Sequence, residues 1–198
     1  VASYFAPGGS SRVVKHRWFF ASGSWDPPAA NTSAAALIIA GGGSGAAAVS
    51  ATGGGWNTGT VGNDGGNSSA LGVTATGGKG GTLAAPASGG TQEGHRGSPL
   101  YLPGNAGLGT NQLGGMPVLG FGGGGEGGAS MVDNLTPGNN MPQGGGGNSG
   151  QIKWADWASI SGTQTITIGA GGAAVANSNS TTFSQAGQQG AVCLFWIE

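Results

Sequence analysis

Two histidines, one cysteine and seven carboxylates are the whole stock from which this 198-residue chain can build a conventional active site. His16 lies in the only basic stretch (Arg12, Lys15, His16, Arg17), and His95 lies in the polar run 91–103. Neither stands at metal-ligand spacing from a cysteine or a second histidine. Gly120–Gly125 matches the GxGxxG form, but consecutive glycines make that match easy, and no strand and helix flank it as a dinucleotide site requires. Lys79, in Gly77-Gly78-Lys79-Gly80, lacks the spaced glycine and hydroxyl residue of a phosphate loop. Ser44 misses the nucleophile-elbow frame because position 46 is Ala. Asp64, Glu93, Glu126 and Asp133 read as solvated surface carboxylates rather than an acid–base pair. Asn31, Asn67, Asn134 and Asn179 fit the glycosylation form, a weak signal in a chain rich in Asn, Ser and Thr. The expectation is no catalytic residue, no metal, no cofactor and no enzymatic activity.

Recognition chemistry is better supplied. An aromatic plate beside Asn, Asp or Gln suits a sugar ring or an apolar loop of a protein partner. Trp56, Tyr101 and Phe121 interrupt the glycine-rich part, with Trp56 and Phe121 leaning toward packing. The runs 91–103 and 130–143 concentrate the charged and amide side chains. The candidate binding residues are therefore Trp56, Glu93, His95, Arg96, Tyr101, Asp133, Asn134 and Asn140. Such residues work from loops held on a rigid scaffold.

The scaffold must come from glycine. There are 47 glycines and only 13 charged residues, six basic and seven acidic. Helical bundles are excluded, because glycine costs about 1 kcal/mol per helical site and charged helix faces are missing. Disordered charged tails and collagen are excluded by the low charge and by nine prolines without an unbroken Gly-X-Y phase. The net charge of −1 leaves no nucleic-acid footprint. No apolar run is long enough to cross a bilayer as a helix. One cysteine forms no internal disulfide. The absence of an initiator Met and of a signal peptide reads as a fragment or processed product.

Thirty-eight of the glycines fall within 41–150, and nine lie in the flanks. The flanks read as β: Arg17–Phe20 as an aromatic strand, Ala35–Ala40 as an apolar strand stopped by Gly41-Gly42-Gly43, and Gln164–Ile168 as an alternating strand. Thr181–Phe183 is a further short candidate, and Ala191–Ile197 reads as a strand covered on both faces. Lys153–Ser159 reads as a helical turn or a loop. Trp18, Phe19, Phe20, Trp25, Phe195 and Trp196 are read as core. The first and last strands should be neighbours, closing a β framework over the insertion. The expected fold is mainly β, a small sandwich-like framework with strands in 17–40 and 163–197. A glycine-rich insertion spans 41–150, and a connecting segment spans 1–16.

Within the insertion, glycines recur every third residue at Gly59/Gly62/Gly65, Gly122/Gly125/Gly128 and Gly144/Gly147/Gly150, with shorter cases such as Gly77/Gly80. The polyproline II geometry repeats every three residues, so this spacing gives bare stripes along which extended helices can bond to one another. The expectation is a part polyglycine II structure. Glycine-rich turns and Ω-loops are the competing reading, and a plain flexible linker is disfavoured by the large apolar residues.

Two stretches carry a resemblance. The first runs Phe19-Phe20-Ala21-Ser22-Gly23-Ser24-Trp25-Asp26-Pro27-Pro28, then Ala36–Ala40 and Gly41-Gly42-Gly43-Ser44-Gly45. The second runs Thr165–Gly172, Thr181–Phe183 and Gly190–Trp196. As an ordered set they resemble the glycine-rich receptor-binding domain of phage tail-fibre proteins. The middle is similar in kind to the adhesins of T-even-like phages, although its glycine runs are shorter and framework strands stand on both sides. The resemblance implies a virion fibre tip, often homotrimeric with other fibre subunits, outside the cell. It implies binding to a bacterial surface protein or glycan, without nucleic acid or membrane insertion. A structural fibre or capping part without host contact is the alternative. An ice-binding surface and a glycan depolymerase are more remote ones.

Overall fold

The computed structural model describes residues 3–4, 12–29, 32–49, 58–82, 120–125, 146–176 and 184–198. No helix occurs among them. The strands are β1 (Ser3–Tyr4), β2 (Arg12–Phe19), β3 (Gly23–Trp25), β4 (Thr32–Ile39), β5 (Ala47–Val49), β6 (Thr58–Thr60), β7 (Ser68–Ala70), β8 (Val73–Ala75), β9 (Ile152–Ile160), β10 (Gln164–Ile166) and β11 (Ala191–Ile197). The protein is mainly β and its named strand pairs are antiparallel.

A five-stranded sheet in the order β1-β2-β11-β4-β9 forms the framework. The run Ala191–Leu194 is buried throughout, while Phe195–Ile197 are half-buried; β11 lies between β2 and β4 and pairs with both. One face carries Phe19, Ile38, Val192, Leu194 and Ala36, which pack with Trp25, Ala70, Ala75 and Ile166 from the three short strands β3, β7 and β10 and from β8. Fully burying one such aliphatic side chain is worth about 1.5–3 kcal/mol. The hairpin β7–β8 turns on Leu71 and Gly72, at φ 49° and 77°. Positive φ at both central positions is the geometry that matches strand twist in a two-residue hairpin.

Two sequence expectations are corrected. Lys153–Ser159 is neither a helical turn nor a loop but most of β9, paired with β4 from Ile39↔Ile152 to Thr32↔Ile160. A register shift opposite Ala35 adds one residue to β9. Phe20 is not core: it is 50% exposed, and Trp154 and Trp157 are 46% and 44% exposed. The expected neighbours do pair, with β2 and β11 matched from Phe19↔Val192 to Val14↔Ile197.

The segment 40–45 leaves β4 and enters a bundle of seven extended segments. Its successive amides donate in a cycle of three. Ala40 and Gly43 donate to Gln151 and Asn148, Gly41 and Ser44 to Gly66 and Asn63, and Gly42 and Gly45 to Gln188 and Gln185. Its carbonyls turn in the same cycle: Gly41 and Ser44 accept from Gly78 and Gly81, Gly42 from Gly172 and Gly43 from Gly125. The six neighbours also bond to each other as a closed ring. In order around it these are 62–66, 77–81, 146–151, 122–125, 185–190 and 168–172. The paired registers run alternately antiparallel and parallel to the centre. Residues 41–47 are buried, so this bonding answers the demand that buried peptide groups be satisfied without a sheet.

Close approach is what glycine supplies here. A Cβ on Gly42 would fall within 3.0 Å of the Gly123 carbonyl, and one on Gly43 within 3.0 Å of Lys79 backbone. Segments 168–172 and 185–190 lie outside the interval 41–150, yet they complete the ring. The bundle is therefore built from the exit flank as well as from the insertion.

Candidate functional site

The ends of the bundle are chemically different. At one end it runs into the framework: 40–45 follows β4, 146–151 precedes β9, and 185–190 precedes β11. Arg12 and Glu198 lie at the opposite edge of that sheet, where Val13 and Glu198 exchange backbone hydrogen bonds of 2.9 and 3.1 Å. At the other end the interlocking donors and acceptors are Ser44 with Asn63 and Gly81, Gly45 with Gln185, and Gly43 with Gly125. We call this the far end.

Chain direction at the far end identifies the described residues that flank the intervening segments. The hairpin β5–β6 continues beyond the end of 40–45, flanking 50–57. Residues 77–81 run toward the far end, preceding 83–119. Gly125 and Gly147, bonded at 2.8 Å, flank 126–145 there. Val175 and Ser184 flank 177–183, joined by a backbone bond of 3.0 Å and by the Val175 amide donating to Ser184 Oγ at 2.9 Å. Every candidate binding residue falls in one of these segments: Trp56 in 50–57, Glu93, His95, Arg96 and Tyr101 in 83–119, and Asp133, Asn134 and Asn140 in 126–145. All eight lie outside the described residues, as does Thr181–Phe183.

Side-chain oxygens accept further amides of the scaffold. Asp64 Oδ1 and Asn67 Oδ1, three residues apart, accept the amides of Gly80 and Gly77 at 2.9 Å each. Ser68 Oγ, fully buried, accepts Gly169 N–H at 2.9 Å, and buried Ser44 Oγ accepts Asn63 N–H at 2.8 Å. Asp64 also takes a hydrogen bond from Lys79 Nζ at 2.6 Å. The Lys79 ammonium, with the Gly80 amide, holds the Asp64 carboxyl below the usual carboxylate range. Asp64 thus joins Gly80 and Lys79, and Lys79 is its counter-ion.

The framework face opposite the core carries aromatics. Phe121, from the bundle, stacks on Phe20 and Trp18 at 5.3 and 6.1 Å between ring centroids, so its role is packing. Trp154 meets Phe195 at 5.5 Å, and His16 meets the same ring at 6.2 Å as a strand-face residue. Cys193 is buried beneath this face, and desolvation pushes its thiol up to about 11. Among the described residues no group of His, Cys, Asp and Glu is arranged to hold a metal. No described helix is long and apolar enough to cross a membrane. No family model matches the chain, and neither a curated protein nor a solved structure matches it.

Proposed function

We propose that this chain is the receptor-binding tip, or adhesin, of a phage tail fibre, recognising a bacterial surface protein or glycan. In this reading the seven-segment bundle is a polyglycine II scaffold. The segments holding Trp56, Glu93, His95, Arg96, Tyr101, Asp133, Asn134 and Asn140 supply specificity. The observation that carries the reading is directional. Segments 50–57, 126–145 and 177–183 are flanked at both ends, and 83–119 at its start, by residues at the bundle end away from Arg12 and Glu198. A scaffold of inter-segment hydrogen bonds, from whose far end these runs depart, is suited to presenting contacts at a distance from the framework. The ordered resemblance of the two flanks to fibre tips supports the same reading. The protein then works outside the cell on the virion, as a homotrimer with other fibre subunits, without catalysis.

The test is retention of the purified chain on isolated bacterial envelopes from a panel of hosts. Saturable retention on a subset of hosts is the expected result. A second reading, a structural or capping part of the fibre, is favoured by the exposed aromatics Phe20, Trp154 and Trp157, which suit subunit contacts. Assembly with fibre subunits and no retention on any envelope would select it.

A further inference from the structure

The segment 184–198 belongs to both halves of the molecule at once. Its first half, 185–190, closes the ring around 40–45. It accepts the amides of Gly42 and Gly45 through Gln188 and Gln185, bonds 168–172 through Gly187 and Gly190, and bonds 122–125 through Gln188 and Gln189. Its second half is β11, the strand between β2 and β4. Without β11, β2 keeps, among the described strands, only the two-residue β1 as a sheet partner. Without 185–190, the buried amides of Gly42 and Gly45 lose their acceptors and the ring opens between 168–172 and 122–125. Extended three-fold helices have no hydrogen bonds of their own, so the remaining segments cannot hold position singly.

We propose that residues 184–198 are a clasp that closes bundle and framework in one step, after all the other described elements have been synthesised. The far end of the bundle is then ordered only on chains that extend through Ile197. This is a fold-level checkpoint against presenting an incomplete scaffold. It does not depend on what the far end binds.

The test is residue-resolved amide exchange with pulse labelling, applied to the whole chain refolding from denaturant. The informative amides are Gly43, Gly65 and Gly78, whose acceptors (Asn148, Gly78 and Gly41) all lie outside the clasp. The expected result is that they gain protection in the same phase as Gly187, Gly190 and the amides of β2. Val192→Ala, in the sheet half of the clasp, should slow that phase in the bundle and the sheet by the same factor, about threefold or more. Protection of Gly43, Gly65 and Gly78 in a faster phase than Gly187 and Gly190 overturns the proposal, and the unsubstituted protein alone decides this. Slowing confined to sheet amides in Val192→Ala overturns it equally.

Discussion

Gly187 faces the carbonyl of Gly42 across the bundle so closely that a methyl group on Gly187 would fall within 3.0 Å of that oxygen. The neighbouring amide of Gly42 donates to Gln188 at 2.9 Å. The absence of a side chain and the presence of a hydrogen bond are therefore one relationship, repeated around 40–45. Alanine at either position must push two backbones apart and lengthen the bond beside it. Gly187→Ala and Gly42→Ala should each destabilise the protein by about 3 kcal/mol. Gly23→Ala, with nothing within 4 Å of the added carbon, should stay within about 0.5 kcal/mol of the parent. Denaturant unfolding of the three variants measures the contrast.

The buried hydroxyl of Ser68 accepts the Gly169 amide at 2.9 Å, where the chain passes from β10 into the bundle. Ser68→Ala takes that acceptor away in a dry place. A loss of about 1–3 kcal/mol is expected, read by the same unfolding curves. Ser68→Thr should recover part of it only if the extra methyl fits.

Asp64 provides the pH dependence. Its folded carboxyl titrates below the unfolded value of roughly 3.9. The stability it contributes is therefore complete above that value and is lost as pH falls through the folded one. The group is half exposed, so the effect is small and screened by salt. Between pH 7 and 5 the unfolding midpoint should hold steady as far as this group is concerned. Asp64→Asn, which keeps an oxygen for Gly80, should flatten the decline below about pH 4. Thermal melts from pH 7 to 2.5 check this.

Cys193 should be inert in the folded protein. Burial raises its thiol to about 11, and the side chain is 1% exposed. Alkylation at pH 8 should run at least about a hundredfold slower than in denaturant. Labelling followed by mass measurement reads the ratio directly.

Much of the framework was legible in the sequence because its signals are local. Apolar strands ending in glycine, an alternating Thr–Ile strand and a fully apolar last strand lie where β4, β10 and β11 lie. β9 was hidden because the extra residue between Ala155 and Ala158 breaks its two-residue alternation. Phe20 looked like core because its neighbour Phe19 is core, and alternation along an extended chain sends adjacent residues to opposite faces. Segments 168–172 and 185–190 escaped because they lie outside the glycine-dense interval 41–150, as short runs with three and two glycines between stretches of ordinary composition. Only the spacing of Gly169 from Gly172 and of Gly187 from Gly190 marks them, with Ala and Gln tolerated between.

The inter-segment partners could not be read at all. Gly41 bonds Gly66, Gly42 bonds Gln188 and Gly43 bonds Asn148, and no local pattern distinguishes these choices. The candidate binding residues are aromatic, charged and amide side chains of the runs 91–103 and 130–143, with Trp56. What the structure adds is the end of the bundle at which those runs depart. That relation depends on the alternating direction of the segments, which composition does not encode.

The central claim is that recognition resides at the far end of a scaffold that stands without it. The most direct measurement compares the intact chain with one lacking 91–103, on envelopes of a host that retains the intact chain. The account predicts that the deletion abolishes retention while the unfolding midpoint and the protection of Gly41, Gly42 and Gly43 stay unchanged. Retention equal to that of the intact chain after the deletion would contradict it.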